Sequence, residues 1–266
     1  MSAKYSLESD LELALELAAI ADGITMARYL AQNLVITTKP DNTPVTDADK
    51  STERALRHHL ANVRLDDGLV GEEFGSQNKE ATRYWVMDPI DGTKNFMRGV
   101  PTWATLIGLV ERQSDGSEKV IVGVVSAPAL FRRWYASSGN GAFTTLNNSA
   151  PRRISVSKVS ELSNASITYS DFQGWNDRLV KFQNLISTCT RSRGLGDFWS
   201  HMLVAEGAVD IAAEPSLALW DMAALDVIVR EAGGTFSNLK GEAGPFGGSG
   251  ISTNTLLHSK VMAALN

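Results

Sequence analysis

The sequence has 266 residues and a single cysteine, Cys189. No intrachain disulfide can form, and a cysteine-based zinc site is excluded. Histidine is scarce, with four copies. None stands near a serine or aspartate in a pattern that suggests a catalytic triad. A basic excess is missing: 25 Lys and Arg face 30 Asp and Glu, giving a net charge of -5. No nucleic-acid partner is expected, because that would need a concentrated basic face. No apolar run approaches the ~20 residues that span a bilayer. The opening "MSAKYSLESDLELALELAAIADG" has acids from Glu8 onward and lacks the features of a secretory signal. A cytoplasmic protein without a membrane partner is the expectation. There is no G-x-x-x-x-G-K-[ST] loop, and "GLGDFW" lacks the third glycine of a dinucleotide fingerprint. Internal repeats are absent, and "GPFGGSG" is the only low-complexity stretch.

What remains is an ordinary core-forming composition, 43% hydrophobic and 21% charged, with room for one large domain or two modest ones. Ser9 with Glu12 reads as a capping box opening a helix that continues to about Gln32. "TTKPDNTPVTDADK" is turn-rich, with two prolines, Asp41 and Asn42 breaking any regular element. A second helix opens near Asp49 or Ser51. β-like runs follow: "GLVGEE", "RYWVMDPIDG", "TWATLIGLVE", "VIVGVVSAPA" and the hairpin "RRWYASSGNGAF". From "NNSAPRRISVSK" onward strands alternate with helices, which indicates α/β organisation. The expected division is residues 1–150, two helices and an antiparallel sheet, and residues 151–266, an α/β unit with a mixed sheet. In the second part Asp197 is the expected N-cap of "DFWSHMLVAEGAVD", and Gly233-Gly234 stops "LWDMAALDVIVREAGG".

Acids recur where apolar runs end. Glu72 and Glu73 follow Leu69-Val70. Asp88 and Asp91 follow Trp85-Val86-Met87, Asp221 follows Leu219-Trp220, and Asp47 and Asp49 follow Pro44-Val45. Taken singly, each has a plain reading: "DPIDG" is a turn, Glu72-Glu73 a solvated pair, Asp221 a helix-terminal acid, and Asp47 and Asp49 turn and cap residues. Taken together, they are hard oxygen donors of the type Mg²⁺ requires. Pro89 and Gly92 could turn the chain so that Asp88 and Asp91 face one site, with the Ile90 carbonyl between them. Asp91-Gly92-Thr93 could open a helical turn whose free N–H groups hold a phosphate oxygen.

"GEE" at 71–73, "WVMDPIDGTKNF" at 85–96, "LWDMAA" at 219–224 and "PVTDAD" at 44–49 together resemble the inositol monophosphatase superfamily. The match in order and spacing runs over nearly the whole chain. The resemblance implies a magnesium-dependent phosphomonoesterase folded as a layered α-β-α-β-α sandwich, with two to three Mg²⁺ ions per active site. It implies Glu72, Asp88, the Ile90 carbonyl, Asp91 and Asp221 as metal ligands, and Asp91, Gly92 and Thr93 around the phosphate. Glu72 and Thr93 would position the attacking water, with Asp49 near a more weakly held ion. It also implies a homodimer.

Within the superfamily, "GDFWSHMLVAEGA" is similar to the histidinol-phosphate phosphatases of actinobacteria. The implied substrate is L-histidinol phosphate, whose cationic amine a carboxylate would complement. Glu214 and Asp197 are the substrate-side acids, and Arg191 is carried as a further candidate, open between phosphate, a neighbouring subunit and solvent. Inositol monophosphate or another small sugar or nucleotide phosphate is the alternative substrate. A non-catalytic protein of the same fold is the rival class. His58 and His59 read as a solvated face, His201 as a satisfied structural histidine, Cys189 as buried and inert, and Trp175 as a loop residue.

Overall fold

The computed structural model describes residues 5–40, 42–78 and 80–266. Helix α1 (Leu7–Arg28) is capped by Ser6, whose hydroxyl accepts from the Ser9 N–H at 3.1 Å. The expected cap was Ser9, so the helix starts earlier; it also ends earlier, at Arg28. The turn-rich segment is a short hairpin of β1 (Ile36–Thr38) and β2 (Pro44–Thr46); Asp41 lies outside the described residues. Helix α2 (Asp47–Val63) opens at Asp47 because Thr46 caps it, and Asp49 closes the capping box by accepting from the Thr46 N–H at 2.8 Å.

Strands β3 (Gly68–Gly71), β4 (Gly75–Gln77) and β5 (Arg83–Asp91) lead into a short helix, α3 (Thr93–Met97). Then come β6 (Ala104–Arg112), β7 (Glu118–Ala127), β8 (Arg132–Ser137), β9 (Gly141–Leu146) and β10 (Arg152–Ile154). Eight of these strands form one sheet, ordered β10-β9-β8-β7-β6-β5-β3-β4. It is antiparallel as expected except for β3 beside β5, which run parallel.

The chain continues through β11 (Ser166–Tyr169), α4 (Leu179–Thr188), β12 (Arg191–Gly194), α5 (Asp197–Ala205), β13 (Ile211–Glu214), α6 (Leu219–Glu231), β14 (Gly234–Ser237), β15 (Gly250–Asn254) and α7 (His258–Leu265). The second sheet is mixed, ordered β12-β11-β13-β15-β14. Asp197 is not the N-cap of α5. Gly196 holds that place, and Asp197 is the first helical residue, at φ 49°.

Burial sets the layering. Along β5, side chains alternate between faces. Trp85 and Met87 pack with Leu13, Leu17 and Ala18 of α1 and Leu56 of α2. Val86 faces the other way, among Phe198, Met202 and the α6 residues Ala223, Ala224 and Val227. Helix α6 is buried along Met222–Val229, as a helix apolar on nearly all sides must be. Its Ala224 and Val227 sit on Gly123 of β7, and its Met222 approaches Gly250 of β15. On the outer face of the second sheet, Ile167 and Ile211 pack with Phe182 of α4 and Val261 of α7. The result is the expected α-β-α-β-α sandwich. Each fully buried Leu, Val or Ile contributes about 1.5–3 kcal/mol, so α6, with Leu225, Val227, Ile228 and Val229 all buried, is firmly anchored. Trp175 belongs to this packing: it lies in a loop as expected, but it is 2% exposed and stacks on Phe182 with ring centroids 3.6 Å apart.

Candidate active site

The "DPIDG" stretch answers a geometric problem. Two residues three positions apart on a regular strand point to opposite faces. Here Asp88 pairs with Leu106 and Asp91 with Ala104 of β6, so β5 carries one extra residue between them. That bulge reverses the alternation and returns Asp91 to the face of Asp88. Pro89, lacking an N–H, suits the break, and its carbonyl accepts from the Thr105 hydroxyl at 2.8 Å. The Ile90 N–H donates to Asp88 Oδ1 at 2.9 Å, tightening the turn. Gly92 follows at φ 83°, where a side chain would press on the Thr102 carbonyl at 3.0 Å. Helix α3 then starts at Thr93.

Asp221, in the first turn of α6, completes the group. One carboxylate oxygen from each of Asp88, Asp91 and Asp221 lies within 4.8 Å of the others. Asp221 accepts from the Ala218 N–H at 2.7 Å, and Asp91 accepts from the Phe198 N–H of α5 at 2.7 Å. Three helices, α3, α5 and α6, therefore begin at this point, and helix N-termini favour negative charge.

Glu72 arrives along the parallel neighbour of β5. Gly71 pairs with Met87, and the Glu72 N–H donates to the Met87 carbonyl at 3.3 Å. The turn that follows is held by Glu53 of α2, which accepts from the N–H groups of Glu73 (2.7 Å) and Phe74 (3.2 Å). A side chain on Gly71 would fall 2.1 Å from Glu53 Oε1, so only glycine fits. Glu72 and Glu73 both accept from Lys39 of the β1–β2 hairpin, each at 2.7 Å. Burial opposes the Lys39 charge, but those two hydrogen bonds outweigh it and raise its pKa.

The electrostatics are strained in one direction. Burial, then repulsion from Glu72, Asp91 and Asp221, raises the Asp88 pKa well above the usual range. Burial, then Asp197 and Asp221, does the same to Asp91. Asp221 is pushed up to about 7, chiefly by burial. A divalent cation relieves this directly. The donor set fits Mg²⁺: carboxylates and a backbone carbonyl, with no imidazole or thiolate in the cluster.

Around the acids opens a cleft of about 470 Å³, lined by Glu72, Asp88, Ile90, Asp91, Gly92, Thr93 and Asp221 on one side and Ser170, Asp171 and Asp197 on the other. Thr93 Oγ1 donates to the Ile90 carbonyl at 2.9 Å and lies 3.4 Å from Asp49 Oδ1. Asp49 stands behind Thr93, buried, with its pKa raised to about 6 mainly by burial. Asp197 accepts from Asn95 Nδ2 at 3.1 Å, and burial raises it to about 6, against the pull of Lys94. Glu214 lies behind Ser170, whose hydroxyl donates to it at 2.8 Å, and burial lifts it to about 8.

The structure thus brings together Glu72, Asp88, Ile90, Asp91, Gly92, Thr93, Asp197 and Asp221, with Asp49 and Glu214 directly behind. It does not bring Arg191, which is exposed at the start of β12 and is not a wall of the cleft. Sequence reasoning missed Lys39, Glu53, Ser170 and Asp171. Their roles depend on contacts distant in sequence, and nothing local distinguishes them from surface residues.

Residues 6–266 match the profile of the inositol monophosphatase family. The chain belongs to this family. It is 54% identical over 259 residues to a histidinol-phosphatase of Mycobacterium tuberculosis, covering 97% of this chain and 98% of that protein. It is 51% identical to a histidinol-phosphatase of Streptomyces coelicolor, covering 97% of each. Among solved structures, the extragenic suppressor protein SuhB of Bartonella henselae superposes with a TM-score of 0.85 at 28% identity, covering 97% of this chain and 98% of that one. Inositol monophosphatase family members depend on metal, and the acid cluster at the bulge is where this chain would hold it. Among the described residues no helix is long and apolar enough to cross a membrane.

Proposed function

We propose that this phosphatase hydrolyses L-histidinol phosphate to L-histidinol and phosphate. The observation that carries the reading is the triad of mutually repelling carboxylates at the β5 bulge, Asp88 buried and Asp91 and Asp221 half-buried, in a chain 51–54% identical to histidinol-phosphatases. Asp88, Asp91, Asp221, Glu72 and the Ile90 carbonyl would hold two to three Mg²⁺ ions. Bound Mg²⁺ supplies positive charge to the phosphoryl oxygens and makes water a stronger nucleophile near neutral pH.

The chain's own groups do the rest. The N–H groups of Gly92 and Thr93 hold a phosphate oxygen, since the first N–H groups of a helix lack intrahelical partners. Thr93 Oγ1, backed by Asp49, orients the attacking water, with Glu72 on the same side of the cleft. Asp197 and Glu214 face the alcohol half, and Asp197 favours its cationic amine. In this reading residues 1–150 supply most of the metal ligands, and residues 151–266 supply Asp221 and the substrate-side acids. A homodimer is part of the same reading and rests on the family resemblance; sedimentation velocity tests it. A cytoplasmic location rests on the single cysteine and the acid-interrupted start of the sequence.

A substrate panel under Mg²⁺ titration tests the assignment. L-Histidinol phosphate should give by far the largest kcat/KM. If inositol 1-phosphate is turned over better, the substrate assignment fails while the chemistry stands.

A further inference from the structure

Behind Ser170 the cleft continues into a smaller cavity of about 160 Å³, which shares Asp91, Ser170, Asp197 and Asp221 with the main space. Its remaining polar walls are Glu214 and His201. His201 is 1% exposed, on α5. Its Nδ1 lies 2.6 Å from Ser252 Oγ on β15. Its Nε2 is buried and has no partner in the protein.

A buried polar atom left bare is costly, and native proteins rarely keep one without a use. An interior position in a mostly apolar helix suggests a structural histidine with both nitrogens satisfied. The structure satisfies only one. Burial alone drives the His201 pKa down to about 4, so the ring is neutral near pH 7. Nε2 then offers one hydrogen bond, as donor or acceptor according to what Ser252 does at Nδ1. The space beside it holds about five waters at roughly 30 Å³ each, or a small flat ring in their place.

We propose that His201 is a specificity-determining residue, whose Nε2 takes one ring nitrogen of the leaving alcohol's imidazole while Glu214 takes the other. The inference rests on the histidinol phosphate reading and gives it a second recognition element, separate from the charge of the amine. An imidazole has two nitrogens in a 1,3 arrangement on a rigid ring, with diverging hydrogen-bond directions, which suits two separate polar groups lining one small cavity. A small ringless alcohol leaves both unmet.

The test compares L-histidinol phosphate with 2-aminoethyl phosphate, which keeps the amine and phosphate but has no ring. Both are measured in Mg²⁺-loaded wild type, His201→Leu and His201→Gln. The ratio of kcat/KM between the two substrates should fall about tenfold in His201→Leu, through KM for L-histidinol phosphate, and recover in part in His201→Gln. Equal loss on both substrates, or an unaltered ratio, overturns the inference. A wild type with no preference for L-histidinol phosphate overturns the substrate reading itself, so the two failures are distinguishable. Should the variants not fold, ¹⁵N NMR of the wild-type ring decides. The His201 Nε2 resonance should move on adding L-histidinol and not on adding 2-aminoethanol. A resonance that stays in place with both means the cavity holds only water and overturns the inference.

Discussion

Strand β5 carries buried charge at both ends, and the two ends are built in opposite ways. At its start, Arg83 pairs with Asp10 of α1, which also meets Arg64 at 3.2 Å. At its end, Asp88 and Asp91 meet Asp221, and among the described residues none of the three makes an ion pair. The two clusters lie at opposite ends of one strand, the first against α1 and the second against the start of α6. One is neutralised by the protein, and the other is left for something from outside. Charge that is compensated within the fold marks structure, whereas charge left uncompensated marks a ligand site.

The two ends should respond differently to mutation. Asp91→Ala or Asp221→Ala should lower kcat/KM by at least about 10³-fold, several kcal/mol of transition-state stabilisation. The metal-free melting temperature should hold or rise, because a repelling carboxylate is gone; a large fall would contradict the distinction. Asp10→Ala should do the reverse. It strands buried guanidinium charge and should cost about 3–5 kcal/mol of stability in denaturant titration, while the molecules that remain folded keep their specific activity.

The same contrast has a pH signature. Asp221 at about 7 and Glu214 at about 8 lie above their unfolded values of about 4. Such groups stabilise the fold when protonated. Their contribution is complete below about pH 4 and is lost as pH rises through about 7 to 8. The metal-free protein should therefore melt at lower temperature at about pH 8 than at about pH 5, and Mg²⁺ should flatten that slope. The smallest effect belongs to Lys39→Ala. That residue bridges a partly exposed Glu72 and a Glu73 whose side chain is buried. Glu73, raised to about 7 by burial, can take up a proton in its place, so the loss should cost about 1 kcal/mol.

Much of this was legible in the sequence, for reasons that are themselves local. "DPIDG" announces a break in an apolar strand through Pro89 and Gly92, and "LWDMAALDVIVREAGG" announces a buried helix with an acid in its first turn. The layer order and the full set of metal-ligand candidates came from the family resemblance that these motifs carry. Local pattern did not carry the rest. Ser6 rather than Ser9 caps α1, because both serines satisfy the same rule within one turn. Asp197 looks like a cap, yet Gly196 takes that position and Asp197 turns toward Asn95. The parallel pairing of β3 with β5 depends on the intervening chain crossing over. Glu53, which fixes the Glu72 turn from twenty residues away, looks like any other helix acid. So does the bare Nε2 of His201 escape notice, since only the packed structure shows which partner is missing.

Isothermal titration of Mg²⁺ into the metal-free protein, repeated in buffers of different ionisation enthalpy, tests the central claim most directly. If the carboxylates at the end of β5 are held partly protonated and await a cation, Mg²⁺ should bind with measurable proton release near pH 7, and Asp221→Ala should weaken the binding and reduce the release. Binding without proton release that is indifferent to Asp221→Ala, or no binding at all, would contradict the account.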